Sequence, residues 1–246
     1  MQIVGDFRDC LRRCFIAVVF VFVAMGISAD EKRQPVIGEK LVYDVYWKFI
    51  KVGYGTLETR DIVCYNGRQV YQFYSEAKSS SFFDTFFKVR DTNTSLVDVE
   101  KFNSIVFEQH ISEGGYKREK RTDYDQQKHL ATNNKGETFE VPENVLDVFA
   151  SLYRVRLEEI KPGDNLTVNV NAGKKNYFMN VKVHKKEKIK INDKKYKTIL
   201  IEPDLHGAGI FMSKGKVLIW MSDDECHIPI KMESAIAVGS IVAEIR

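Results

Sequence analysis

Long apolar stretches, cysteines and recognisable catalytic motifs are all scarce in this chain, and each scarcity narrows what it can be. Among its 246 residues the only long unbroken apolar run is Phe15–Met25. That is too short to span a bilayer as a helix, which takes about 20 residues. Of four cysteines, Cys10 and Cys14 precede that run, and only Cys64 and Cys226 follow it. Neither belongs to a C-x-x-C pair, so a zinc site of that type is excluded. An oxidising compartment would permit a bridge between them, but sequence alone cannot place their Cα atoms within reach. Charge of one sign is lacking too. The chain has 37 basic and 34 acidic residues and a net charge of +3, which gives no reason to expect nucleic acid. No Gly-rich phosphate loop, G-x-S-x-G elbow or H-E-x-x-H is present. No catalytic residue, metal ligand or cofactor is therefore assigned.

What is present begins with an export signal. Arg8, Arg12 and Arg13 form a positive region before the apolar run, and the small residues Gly26, Ser28 and Ala29 follow it. This is the order of a secretory signal peptide. Cleavage is expected after Ala29, with Gly26 as the alternative, so residues 1–29 are a signal peptide and residues 30–246 the mature protein. Cys14 lies ahead of the apolar run, so it is not the modified cysteine of a bacterial lipoprotein. No later segment is apolar enough for a membrane helix, and no linker rich in Pro, Gly or Ser divides the remainder. One β-rich domain, soluble and periplasmic, is the expectation.

Alternation with period two dominates that domain, the mark of strands with one buried face. Leu41, Tyr43, Val45, Trp47 and Phe49 occupy successive odd positions. Asn66-Gly67 fits a two-residue hairpin, because both residues tolerate positive φ. Further strands are expected at 89–97, 105–112, 116–124, 166–170, 177–191, 196–202, 216–221, 228–236 and 240–245. One helix interrupts them: Val145, Val148, Phe149, Leu152 and Val155 recur at helical spacing, and Lys161-Pro162-Gly163 closes it. Short connections imply antiparallel neighbours. The predicted fold is mainly β: a large curved antiparallel sheet or partial barrel, with one helix covering its apolar face.

Three segments could carry function. Phe82, Phe83, Phe86 and Phe87 would share one face of a helical turn, either packed under the sheet or forming an apolar flap at a cavity mouth. With Trp47 and Trp220 they are the candidate contacts for an apolar ligand. Lys174–Lys197 holds ten lysines against two acids. It could meet an anionic headgroup, although lysines on an exposed strand face also serve solubility. Asp223, Asp224, Glu225, Cys226 and His227 could support proton transfer, but their place between two strands equally suits turn formation.

The motifs taken together resemble DUF3108, an uncharacterised family of exported bacterial proteins. They are Gly38-Glu39-Lys40-Leu41-Val42-Tyr43, with Gly53 and Gly55; Leu146-Asp147-Val148-Phe149-Ala150 with Arg156; and Lys216-Val217-Leu218-Ile219-Trp220-Met221 with Ile228-Pro229-Ile230. The likeness runs from about Gly38 to Arg246. Cys226-His227 departs from it, standing where basic or polar residues are expected. The resemblance implies a curved antiparallel fold in the periplasm, similar in outline to carriers of lipids and lipoproteins, and it implies no activity. The favoured reading is a non-enzymatic envelope protein that shelters an acyl chain or other apolar ligand. A glycan- or protein-binding scaffold in envelope assembly and a hydrolase built on Asp223–His227 are the alternatives.

Overall fold

The computed structural model describes residues 33–204, 216–236 and 239–246. The expected signal peptide and its cleavage site lie outside them. The chain divides into two units, Met1–Arg33 and Gln34–Arg246, and every described strand and helix belongs to the second. No helix among the described residues is long and apolar enough to cross a membrane.

Among the described residues, fifteen strands form one sheet in two meanders. The first contains β1 (Lys40–Trp47), β2 (Ile50–Tyr65), β3 (Arg68–Ser79), β4 (Arg90–Asp98), β5 (Ser104–Glu113), β6 (Tyr116–Asp125), β7 (Leu130–Asn133) and β8 (Thr138–Glu140). The second contains β9 (Leu146–Asp147), β10 (Asn165–Ala172), β11 (Lys175–Ile191), β12 (Lys194–Pro203), β13 (Val217–Ser222), β14 (Pro229–Ile236) and β15 (Gly239–Ile245). Pairing of β1 with β15 joins the meanders, giving the order β8 to β1, then β15 to β9. Every ladder is antiparallel except the short β9–β10 pair, so the sheet is mixed. The described residues also include two helices, α1 (Ser81–Asp84) and α2 (Val148–Leu157).

The two outermost strands, β8 and β9, follow one another in the chain, so the gap in the sheet is crossed by residues 141–145. Side chains clasp its sides. The Asn176 amide donates to the Glu140 carbonyl at 2.8 Å, and the Asn169 amide to that of Glu143 at 3.1 Å. Tyr124 donates to Asn171 Oδ1 at 3.2 Å. Register shifts at Val45/Tyr46, Thr59/Ile62, Leu96/Val97, Val183/Lys185 and Trp220/Met221 bend the strands. Such bulges raise twist and let a large sheet curl toward closure. At Gly53 a Cβ would lie 2.1 Å from the Lys78 carbonyl oxygen, so only glycine permits β2 and β3 to approach there.

The predicted antiparallel strands and the Asn66-Gly67 hairpin are present, with φ of 50° and 77° in the turn. Two details differ. The expected apolar face of β1 does not reach Phe49, because the strand ends at Trp47 and Phe49 stands 85% exposed in the following turn. The helix does more than cover a face: α2 sits against the concave side, with side chains engaged around its circumference. Ala150 and Tyr153 join the core with Tyr71, Phe73, Val97, Val170, Val181 and Ile201, and Tyr153 stacks on Phe73 with ring centroids 3.8 Å apart. A helix apolar on several sides is one surrounded by protein.

The ends of the curled sheet differ. Strand alternation puts the β1–β2 turn, the α1 connection, the β5–β6 turn, the β7–β8 turn and the β10–β11 turn at one end, called the mouth. Backbone bonds knit some of these: Lys48 N–H to the Ser240 carbonyl at 2.9 Å, Ser80 N–H to Val52 at 2.9 Å, and Gly114 N–H to Lys88 at 2.7 Å. The opposite end, the base, receives the C-terminus of α2.

Candidate functional site

Two cavities flank α2. An aliphatic one of about 320 Å³ lies between α2 and β11–β15. Val148, Leu152 and Val155 form its helical wall, and Met179, Val181, Ile201, Ile219, Met232 and Ala243 form its sheet wall. Pro203, Val217, Ser234 and Ile241, all near strand ends at the mouth, also border it. Its hydroxyls are few. Ser151 Oγ donates to the Val148 carbonyl at 2.7 Å, and Ser234 Oγ is buried without a partner. Alternation creates the cavity: inward-facing Met179, Val181 and Val183 on β11, with Ile199 and Ile201 on β12, are buried, while Lys182 and, beyond the bulge at Val183/Lys185, Lys185 face outward. The lysines of the Lys174–Lys197 segment are all exposed. Lys186 meets Asp223 at 2.8 Å, and Lys185 meets Glu187 at 3.0 Å.

The second cavity, about 750 Å³, lies between β4–β8 and the β10–β11 hairpin, over the first half of α2. Phe107, Ile111, Phe149 and Tyr177 give it apolar walls, and it shares Val148 and Leu152 with the first cavity. Volumes of both fall in the roughly 300–1,000 Å³ range of ligand sites. Its border is basic: Arg118, Lys120, Arg121, Lys135, Lys174 and Lys175 face one carboxylate, Glu137. Arg121 is held by Glu108 and Asp123, and Lys174 by Glu137 at 2.8 Å. Burial, followed by the neighbouring Arg118, holds the Lys120 ammonium below its ordinary pKa.

The base holds a buried ion pair. Arg156 makes a bidentate pair with Glu39, both bonds 2.7 Å, and this ties α2 to the start of β1. Tyr43 donates to the Pro229 carbonyl at 2.8 Å. At the other end of α2, Asp147 caps the helix N-terminus, accepting from the Phe149 and Ala150 N–H groups at 2.9 Å and from the Ser95 and Ser104 hydroxyls at 2.6 Å. Burial raises its pKa, and those four donors counteract the rise.

The structure distributes the sequence candidates unevenly. Trp47, Phe82, Phe86 and Phe87 stand at the mouth, 37%, 67%, 73% and 54% exposed. Phe83 packs edge-on against Phe82, and the Phe87 ring lies against Gly114. Trp220 donates to Glu187 at 2.8 Å. None of the six lines either cavity. The acidic segment forms the β13–β14 turn: Asp224 accepts from Ser222 Oγ at 2.7 Å and from the Cys226 N–H at 3.0 Å. His227 is buried, its Nδ1 3.0 Å from the Arg156 carbonyl. These groups bond within the turn and to α2 and converge on no cavity. Cys64 and Cys226 are both free thiols. Cavity residues such as Met179 and Ile219 carry no sequence signal, because a pocket wall and a packed core take the same residue types. The cations at the mouth were equally silent, since β6 is charged at nearly every position of Lys117–Arg121.

The model of DUF3108, a protein family of unknown function, matches residues 42–246. The chain belongs to the DUF3108 family. No curated protein matches this DUF3108 member. Among solved structures it is similar to a β-barrel-like protein of the domain of unknown function DUF1849 from Brucella abortus, with 8% identity and a TM-score of 0.54. That likeness covers 84% of this chain and 94% of the other. At such identity it concerns the fold alone, a curled, barrel-like sheet.

Proposed function

We propose that this DUF3108 member is an exported, non-enzymatic envelope protein whose concave interior shelters an apolar chain, such as the acyl chain of a lipid or lipidated partner. The observation that carries the reading is the aliphatic cavity between α2 and β11–β15. A void walled by Leu, Val, Ile and Met offers a chain little but dispersion and release from water. Each buried methylene gains roughly 0.8 kcal/mol, and genuinely apolar cavities accept apolar guests. The positive n-region and short apolar run of residues 1–29 support the envelope location.

Titration with a fluorescent fatty-acid analogue tests the proposal. Leu152 borders both cavities, so Leu152→Trp places a ring in the path of the chain. The wild-type protein should bind saturably, and the variant, with its circular dichroism unchanged, should bind at least tenfold more weakly. Wild-type protein that leaves the probe in solution would refute the shelter.

A further inference from the structure

Strand alternation makes the cations of the second cavity unusual. On β6, Thr122 and Tyr124 are buried and face inward, so Arg118 and Lys120, at the same parity, occupy positions on that inner face. Across the cavity, Lys175 shares the parity of the buried Met179 and Val181 on β11. Arg121 and Lys174, which border the same space, have carboxylate partners at hydrogen-bond distance. Arg118, Lys120 and Lys175 have none among the described residues. Lys120 is partly withdrawn from water beside a like charge, which lowers its pKa; such an arrangement costs free energy unless an anion compensates it. Tyr177 lines the same cavity, and its hydroxyl is buried without a hydrogen-bond partner. The Asn93 and Gln109 side chains add amides to the wall.

The geometry points to an anionic amphiphile as the ligand. Its carboxylate or phosphate head sits among Arg118, Lys120, Lys175 and Tyr177, and its chain passes Val148 and Leu152 into the aliphatic cavity. This rests on the chain-sheltering reading and adds the head's charge and position. A cleft with low-dielectric walls and one sign of charge focuses its field on an incoming ion. Arginine and tyrosine offer donors for a planar or tetrahedral anion. An uncharged chain would leave the cations and the tyrosine hydroxyl as they are.

Paired fluorescent probes separate head from chain: cis-parinaric acid and its methyl ester. Wild-type protein should bind the acid about tenfold more tightly than the ester at low ionic strength. In the double variant Arg118→Gln/Lys120→Gln, binding of the acid should fall to the level of the ester. Binding of the ester should stay unchanged and the thermal midpoint should not fall, because neither side chain has a partner to lose and their mutual repulsion is relieved. Displacement of the bound acid by oleate or by oleoyl lysophosphatidic acid, whichever is stronger, identifies the head as carboxylate or phosphate. Equal binding of acid and ester by the wild type, or equal loss of both in the variant, would overturn the assignment of the head while leaving the shelter intact. If neither probe binds, head and shelter fail together.

Discussion

The two ends of the curled sheet are built on opposite terms. At the base, the buried charges are matched, Glu39 with Arg156, and Tyr43 and His227 reach the Pro229 and Arg156 carbonyls, although the Thr59 and Tyr153 hydroxyls beside them are buried without a hydrogen-bond partner. At the mouth, Arg118, Lys120 and Lys175 lie on the inner face without a carboxylate among the described residues, aromatic rings stand in solvent, and two cavities reach toward the opening. The contrast separates stability from binding. Matched buried groups fix the position of α2, the element that both cavities share. Unmatched groups at the other end have hydrogen-bonding and charge capacity left for a ligand. A protein that spread its pairing evenly would have a more stable mouth and less to offer there.

The comparison breaks most visibly at the base. Glu39→Ala leaves the Arg156 guanidinium, whose side chain is only 7% exposed, without its carboxylate. Removing one partner of a buried pair costs about 3–5 kcal/mol. Chemical denaturation should register that loss as a lower midpoint with an unchanged m-value. A change near zero would mean that water already reaches this pair and that the base is not the locked end.

At the mouth the expected effect is far smaller. Phe82→Ser and Phe86→Ser remove rings that are already mostly in solvent, so each should alter stability by no more than about 0.5 kcal/mol. Thermal melts of the single variants check this. A loss above about 2 kcal/mol would place those rings in a packed core and erase the difference between the ends.

Much of this architecture was legible in the sequence, and the illegible parts have physical causes. Period-two alternation marked most strands because one face of each is buried, and Asn66-Gly67 marked its turn because few residue pairs accept positive φ twice. Strand β9, two residues long, is too short for any period to register. The inner face of β1 could not be followed to Phe49, because the strand ends at Trp47 and a turn with Lys48 at positive φ carries Phe49 into solvent. The helix was readable as a helix, yet its enclosure was not. Asp147 looks like any N-cap until Ser95 and Ser104, distant in the chain, donate to the same carboxylate. For the site, the aromatic cluster at Phe82–Phe87 drew attention because exposed rings are conspicuous. The cavities escaped notice because their walls are the ordinary residues of a β core, arranged with a space between them.

That space is the central claim, and methionine methyl groups report on it directly. Met179 and Met232 line the aliphatic cavity, while Met221 is fully buried and does not. In a spectrum of protein labelled at its methionine methyls, a fatty acid carrying a nitroxide near its chain terminus should broaden the Met179 and Met232 signals strongly. Met221 should broaden less, and an excess of unlabelled fatty acid should restore all three. Signals from Met179 and Met232 that stay sharp while the probe is bound would put the chain elsewhere and contradict the account.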